Sequence, residues 1–197
     1  MAVPIHVRSG LAWEEAEARA IDRLLGMPPF FGRTEALVTL AVDMHDVYPE
    51  HHWALSGRAP AYDTPDEDVY LDGRNVVLLG KASVHVARAG LSRVRIGPLA
   101  GNPFPDATPE FFAAMSRALS LGLGSPIVIE APLASLHKAD VIRLGASLGV
   151  PFELTLSCMQ PKDGLHCGRC SKCRERRDGF READIADPTR YRERPLR

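Results

Sequence analysis

All four cysteines of the chain lie in one short stretch, SCMQPKDGLHCGRCSKC, and this clustering constrains the fold more than any other feature of the sequence. Their spacing is C-x8-C-x2-C-x2-C, and Gly168 lets the first C-x2-C run turn tightly enough to present two sulfurs to one ion. Four thiolates form a closed, tetrahedral zinc site that leaves no position for water. We therefore predict that the chain binds one structural Zn²⁺ through Cys158, Cys167, Cys170 and Cys173.

Other interpretations of the cysteine stretch stay open at this stage. The four cysteines also permit two disulfides or free buried thiols, and His166 is placed to replace one ligand. A C-x2-C run in a reducing compartment favours metal over disulfide. Basic residues surround the site and would offset its negative charge, or form a solvated helix face; they are Arg169, Lys172, Arg174, Arg176 and Arg177.

The composition predicts a cytoplasmic protein without membrane contact. The 197 residues suit one globular domain, and 45% hydrophobic residues are enough to form a core. The formal net charge of −1 gives no global basic field, so nucleic-acid binding is not favoured. No apolar run approaches the roughly 20 residues of a membrane span, and the N-terminus does not resemble a signal peptide.

Short apolar runs alternate with amphipathic runs along the chain, which predicts an α/β fold with a parallel sheet. The predicted strands are residues 3–7, 35–42, 93–96, 126–130 and 152–156. The predicted helices are residues 12–25, 75–89, 109–121 and 136–148. Thr108 is the expected N-cap of the third helix, because Pro109 follows at its first position.

We predict a Rossmann-like domain over residues 1–156 and a zinc-binding C-terminal segment over residues 157–197. A long insertion, residues 43–73, interrupts the α/β pattern, and connections of this length are usually functional or mobile. It contains metal-competent side chains whose spacing fits no zinc pattern, so we interpret them as cleft-lining or solvated; they are Asp43, His45, His51 and His52. For Tyr48 and Trp53, packing of this segment is favoured over stacking on a base.

Several segments together resemble a known family. The run LHKADVIRLGASLGV, then TLSC, then CGRCSKCRERRDGF resembles the 7-cyano-7-deazaguanine synthase (ExsB-like) family of PP-loop ATP pyrophosphatases. The stretches YLDGRN, NPFPDATPEFF and LAWEEAE agree in order. The resemblance implies a Rossmann-like fold of the adenine-nucleotide hydrolase type and one zinc held by four cysteines. It also implies ATP-dependent conversion of 7-carboxy-7-deazaguanine and ammonia into the nitrile, on the queuosine pathway, with Mg²⁺ accompanying ATP. We further expect a homodimer.

The resemblance places Lys138 near the nucleotide phosphates as a catalytic residue, and a surface lysine is the alternative. The candidates for binding substrate or nucleotide are Arg74, Asn75, Asp106 and Glu110. An arginine fork suits carboxylate or phosphate, and an asparagine can contact a base edge. Each also has a structural interpretation, as a salt-bridged arginine, an N-cap, an Asx turn or a stabiliser of a helix's first turn.

Two features depart from the family pattern. The phosphate loop Ser-Gly-Gly-x-Asp-Ser does not occur in the sequence, so we expect either a reading frame that starts too late or a diverged relative. Ala107-Thr108 stands where many members carry Cys-Arg, which bears on the substrate. The alternative function is therefore a zinc-stabilised relative that binds a deazapurine, a nucleotide or a partner without catalysis. A zinc element that binds nucleic acid is the third interpretation.

Overall fold

The computed structural model describes residues 1–193, and these form two compact units. One unit contains residues 1–65 and 138–193; the other contains residues 66–137. Within residues 1–193, no helix is long and apolar enough to cross a membrane. The predicted boundary at residue 156 stays a prediction.

The elements follow the predicted alternation of strands and helices. The strands are β1 (Ile5–Arg8), β2 (Val38–Ala41), β3 (Arg93–Arg95) and β4 (Val128–Glu130). The helices are α1 (Glu14–Leu25), α2 (Trp53–Ser56), α3 (Arg74–Arg88), α4 (Pro109–Leu123), α5 (Lys138–Ser147) and α6 (Ser171–Ala183). The predicted cap of α4 is confirmed, because the Thr108 hydroxyl accepts the Phe111 N–H at 3.1 Å.

Parallel pairing is confirmed, and it occurs as two separate two-stranded sheets, one in each unit. In the first unit β1 pairs with β2, from Ile5 opposite Val38 to Arg8 opposite Ala41, and α1 forms the crossover between them. In the second unit β3 pairs with β4, and α4 forms the crossover. A helical crossover is the connection that parallel neighbours require.

The predicted strand over residues 152–156 is wrong. Phe152–Leu154 is a 3-10 turn, in which the Leu154 N–H donates to the Pro151 carbonyl at 3.0 Å. The alternation of Phe152, Leu154 and Leu156 imitates a strand, but the Phe152 ring packs edge-on against Phe180 of α6, with ring centroids 5.2 Å apart. The apolar residues therefore serve a helix contact and not a sheet face.

Arg176 explains why this segment does not pair as a strand. Its side chain is 7% exposed, and its guanidinium donates to the Phe152 carbonyl (2.8 Å), the Thr155 hydroxyl (2.9 Å) and the Ser157 hydroxyl (3.3 Å). It also donates to the Thr189 hydroxyl at 2.6 Å. One buried side chain of α6 thus binds polar groups of the segment on the way to Cys158 and fixes its path.

The part of the long insertion that belongs to the first unit is packed. Met44, Tyr48 and Ala54 are buried, and the Tyr48 and His52 rings stack with centroids 4.9 Å apart. Trp53 stacks on Trp13, with centroids 5.6 Å apart. The packing interpretation of Tyr48 and Trp53 agrees with these contacts. Asp43 and His45 form an exposed pair, with 2.6 Å between Oδ1 and Nδ1.

Two glycines in helix interiors provide a matched test of the packing in the two units. An alanine Cβ at Gly145 of α5 would lie 2.7 Å from Phe152 Cζ, whereas at Gly80 of α3 the nearest atom is Met115 Cε, 3.8 Å away. We expect Gly145→Ala to lower the free energy of unfolding by about 1–3 kcal/mol through overpacking. Gly80→Ala should raise it by about 0.5–1 kcal/mol, because alanine favours the helix. Denaturant unfolding measures both. A Gly145→Ala variant that is as stable as the wild type, or more stable, would contradict the close packing of Gly145 against Phe152.

Candidate metal centre and ligand cavity

The four cysteines converge on one buried point in the first unit. Their sulfurs all lie within 4.8 Å of one another, and all four thiols are free. The Cys167 and Cys173 sulfurs are 3.8 Å apart, and the Cys170 and Cys173 sulfurs 3.5 Å. A tetrahedron with Zn–S bonds of about 2.3 Å places its sulfurs about 3.8 Å apart, whereas a disulfide bond measures about 2.05 Å. The donor set and its spacing fit a zinc-sized ion.

The loop between the cysteines supplies backbone donors to the sulfurs. The Cys167 and Gln160 N–H groups donate to the Cys158 sulfur at 3.1 and 3.3 Å, and the Arg169 N–H donates to the Cys167 sulfur at 3.4 Å. Gly168 has a φ of +86°, a conformation that favours glycine. The backbone therefore turns its N–H groups inward, where they stabilise negative charge on sulfur.

Because the four thiols lie so close together, their pKa values shift in different directions. Hydrogen bonds from the other thiols, first Cys158, lower the pKa of Cys167, while contacts with Cys167 raise the pKa of Cys158. Four thiolates so close together repel one another, so the fully ionised set needs a cation at its centre. Among residues 1–193, the tetrad is the group of metal-competent side chains close enough to share an ion.

His166 lies beside the tetrad and not among its ligands. Its Nε2 accepts the Ser157 N–H at 3.1 Å, and its ring contacts Tyr191 edge-on with centroids 5.8 Å apart. Burial, reinforced by the charge of Arg176, lowers the pKa of His166 to about 4. His166 therefore acts as a neutral acceptor that holds the chain just before Cys158.

The basic residues around the tetrad make contacts within the unit. Arg174 donates to the carbonyls of Tyr62 (2.8 Å) and Thr64 (3.1 Å), which attaches the end of the insertion to α6. The Arg177 guanidinium lies 3.8 Å from the centre of the Tyr191 ring. These contacts support a structural role and give no support to a nucleic-acid-binding surface.

A separate cavity of about 290 Å³ lies in the second unit, where β3 and α3 meet the loop before α4. Two aromatic rings, Tyr70 and Phe104, stack in its lining with centroids 5.2 Å apart. Three of the predicted binding residues also line it, together with Asn102 and the Ile96–Pro98 loop; they are Arg74, Asn75 and Asp106. Open α/β sheets bind ligands at the carboxyl ends of their strands, and this cavity follows β3.

Asn75 and Asp106 are bonded to each other. The Asp106 carboxylate accepts the backbone N–H of Asn75 at 3.0 Å, and the Asn75 side-chain amide donates to the Asp106 carbonyl at 3.0 Å. Asp106 is 5% exposed, and it caps the first turn of α3 from 31 residues away in sequence. Both residues therefore have a structural role, but a different one from the expected N-cap and Asx turn, since Asn75 lies inside α3 and Asp106 bonds to it across the fold. Their ligand-binding role stays a prediction.

Lys138 and Glu110 are not among the residues that line this cavity. Glu110 is exposed in the first turn of α4. Lys138 begins α5 in the other unit, where its Nζ lies 2.7 Å from one Glu175 oxygen, and Lys172 lies 2.7 Å from the other. Burial opposes ionisation of Glu175, but the charges of Lys138 and Lys172 outweigh it and lower the pKa of Glu175 to about 2. The catalytic role of Lys138 stays a prediction.

Sequence reasoning missed the aromatic lining of the cavity. Tyr70 and Phe104 each stand close in sequence to a predicted binding residue, in YLDGRN and NPFPD, but their mutual contact spans distant parts of the chain. The sequence signal that could have predicted this lining is the aromatic residue close to each polar candidate.

Comparison with known proteins is consistent with this geometry. A sequence model of the family described as "Queuosine biosynthesis protein QueC" matches residues 55–184, a range that includes the four cysteines and the polar residues of the cavity. A 7-cyano-7-deazaguanine synthase of Anaeromyxobacter dehalogenans is 37% identical over 187 residues, which is 90% of this chain and 79% of that protein.

Two further relatives bear the same name. The protein of Anaeromyxobacter sp. strain Fw109-5 is 43% identical over 143 residues, 69% of this chain and 60% of the relative. The protein of Azoarcus sp. strain BH72 is 43% identical over 133 residues, 64% of this chain and 58% of the relative. The chain thus matches from just under three fifths to about four fifths of these relatives' lengths.

Because Asp106 is bonded to Asn75, it should contribute more to stability than the exposed Glu110 does. We expect Asp106→Ala to lower the free energy of unfolding by about 2 kcal/mol, because it removes the acceptor of a part-buried N–H. The exposed Glu110→Ala is the matched control and should change it by about 0.5 kcal/mol or less. Denaturant unfolding of both variants measures the difference. Equal effects would show that the Asp106 cap does not contribute to stability.

Proposed function

We propose a reaction for this chain from one premise: it belongs to the queuosine biosynthesis protein QueC family. The proposed reaction is the ATP-dependent conversion of 7-carboxy-7-deazaguanine and ammonia into 7-cyano-7-deazaguanine. The observation that carries the proposal is the family match itself, because residues 55–184 include both the cysteine tetrad and the cavity residues Arg74, Asn75 and Asp106.

The proposed chemistry removes both oxygens of a carboxylate. Transfer of AMP from ATP to one oxygen releases pyrophosphate and gives an acyl adenylate, which ammonia attacks to form the amide and free AMP. A second transfer of AMP to the amide oxygen lets that oxygen leave as AMP, and loss of protons from nitrogen gives the nitrile. The protein's task is to orient the reactants and stabilise charge on phosphate and carboxylate.

The cavity in the second unit suits the heterocycle. Its volume of about 290 Å³ lies at the lower end of small-molecule pockets, which span about 300–1,000 Å³. That size accommodates one bicyclic ring system. The Tyr70 and Phe104 rings provide the apolar contact that a planar heterocycle needs. ATP and its Mg²⁺ would then occupy a different site from the heterocycle. We propose that this site belongs to the Rossmann-like fold that the family resemblance implies.

We propose that the tetrad binds Zn²⁺ for structure and not for chemistry. Cys158, Cys167, Cys170 and Cys173 would fill the coordination sphere, so no position is left for a reacting water. The ion would join the loop after the 3-10 turn to α6 and add its binding energy to folding. A reducing cytoplasm, where we place this reaction, keeps the four thiols available.

Binding without turnover is the second candidate function. The specific observation behind it is that the 197 residues contain no Ser-Gly-Gly-x-Asp-Ser. Backbone N–H groups of such a loop hold pyrophosphate in enzymes that use it. Incubation of the chain with ATP, ammonia and 7-carboxy-7-deazaguanine, followed by mass spectrometry of the heterocycle, separates the two. Formation of the nitrile supports the first candidate, and binding of the heterocycle without product supports the second.

Lys138 and Lys172 form a matched pair for testing the catalytic role of Lys138, since both contact Glu175 at 2.7 Å. We expect Lys138→Gln and Lys172→Gln each to lower the free energy of unfolding by about 1 kcal/mol. If Lys138 contacts phosphate during the reaction, only Lys138→Gln lowers the rate of pyrophosphate release, by about 100-fold or more. Equal rates of pyrophosphate release for the two variants would show that Lys138 has only a structural role, in its ion pair with Glu175.

Removal of one sulfur tests the metal. We expect Cys170→Ser to lower the zinc-to-protein ratio and the melting temperature together, because metal binding and folding are coupled. Elemental analysis and thermal unfolding, each repeated after treatment with a chelator, measure both quantities. A variant that keeps the full zinc content and melting temperature would contradict the proposed ligand set.

A further inference from the structure

The polar residues of the cavity in the second unit differ in how fully they are bonded. Asn75 and Asp106 bind each other through three contacts of 3.0 to 3.4 Å. The Nε of Arg74 is buried, and it has no hydrogen-bond partner among residues 1–193. A buried donor of a charged group without an acceptor is costly, and such groups in folded proteins are nearly always bonded. Arg74 therefore contributes a buried donor without a partner to the lining of the cavity.

The geometry points to Arg74 as the residue that binds the carboxylate of the heterocyclic substrate, and we propose that this cavity thereby distinguishes the carboxylate substrate from the nitrile product. The inference rests on the proposed function, because it takes 7-carboxy-7-deazaguanine as the ligand. It assigns one contact of the ligand to one side chain.

The chemistry of the two ligands explains why Arg74 separates them. A carboxylate presents two anionic oxygens side by side, which match the parallel N–H donors along one edge of a guanidinium, Nε included. A nitrile is neutral and offers a single acceptor at the end of a linear group. The loss of charge and of one hydrogen bond should weaken the contact with Arg74 as the reaction proceeds.

The aromatic rings and Asp106 should contribute little to the difference in affinity between the carboxylate and the nitrile. Tyr70 and Phe104 offer ring surfaces, which contact the heterocycle that substrate and product share. Asp106 is the other charged residue of the lining, and its Oδ2 is already bonded to the Asn75 N–H. The shared rings should therefore give similar affinity for both ligands, and Arg74 should provide the difference. Conversion to the nitrile would then favour release.

Calorimetric titration of the 197-residue chain with 7-carboxy-7-deazaguanine and with 7-cyano-7-deazaguanine tests the assignment. We expect Arg74→Gln to weaken binding of the carboxylate at least tenfold and to change binding of the nitrile less than threefold. Arg74→Lys, which keeps the charge but loses the fork, should give an intermediate loss for the carboxylate. Arg88→Gln is the matched control, because Arg88 is exposed at the other end of α3. Circular dichroism confirms that each variant is folded.

The outcomes separate this inference from the proposed function. A wild-type chain that binds neither heterocycle would overturn the proposed function and the assignment with it. A wild-type chain that binds both, with Arg74→Gln weakening both equally or neither, would overturn the assignment alone. If Arg74→Gln does not fold, Arg74→Lys decides by the same ratio of the two affinities.

Discussion

The first unit gathers four cysteine sulfurs at one buried point, and full ionisation of such a set brings strong mutual repulsion. The sulfurs lie within 4.8 Å of one another in a buried site, so the charged set requires a cation. That requirement explains the surrounding structure, in which backbone N–H groups point at sulfur and Gly168 adopts a positive φ. Arg176 and His166 then position the chain before Cys158 through hydrogen bonds to Thr155 and Ser157. The cysteine tetrad, which can hold a metal ion, and this polar network both contact α6.

The second unit relies on a different device, a helix cap made from a distant residue. Asp106 binds the first turn of α3 and thereby brings the loop before α4 against the residues that follow Tyr70. The same bond occupies Asp106 and Asn75, whereas the buried Nε of Arg74 has no hydrogen-bond partner among residues 1–193, and we propose that Arg74 binds the ligand. On this proposal, stability and recognition are divided between neighbouring residues, because the carboxylate of the proposed substrate needs a positively charged partner.

Local spacing made part of this structure predictable from sequence. The ligand-like cysteine spacing, the Thr108-Pro109 cap and the amphipathic runs of α1 and α3 act over a few residues, and the structure has each of them. The strand predicted over residues 152–156 is wrong, because the spacing of its apolar residues mimics the alternation of a strand. Its actual contacts are with Arg176 and Phe180, more than 20 positions away in sequence. The Asn75–Asp106 bond and the Tyr70–Phe104 stack also join residues far apart in sequence. Local sequence patterns therefore do not predict them.

X-ray absorption at the zinc edge of the purified chain tests the central claim most directly. The account predicts one zinc per chain with four sulfur ligands at about 2.3 Å and no nitrogen or oxygen in the first coordination shell. A spectrum with imidazole or water ligands would contradict a closed, purely structural centre. A purified chain that contains no zinc and takes none up would contradict the metal centre altogether.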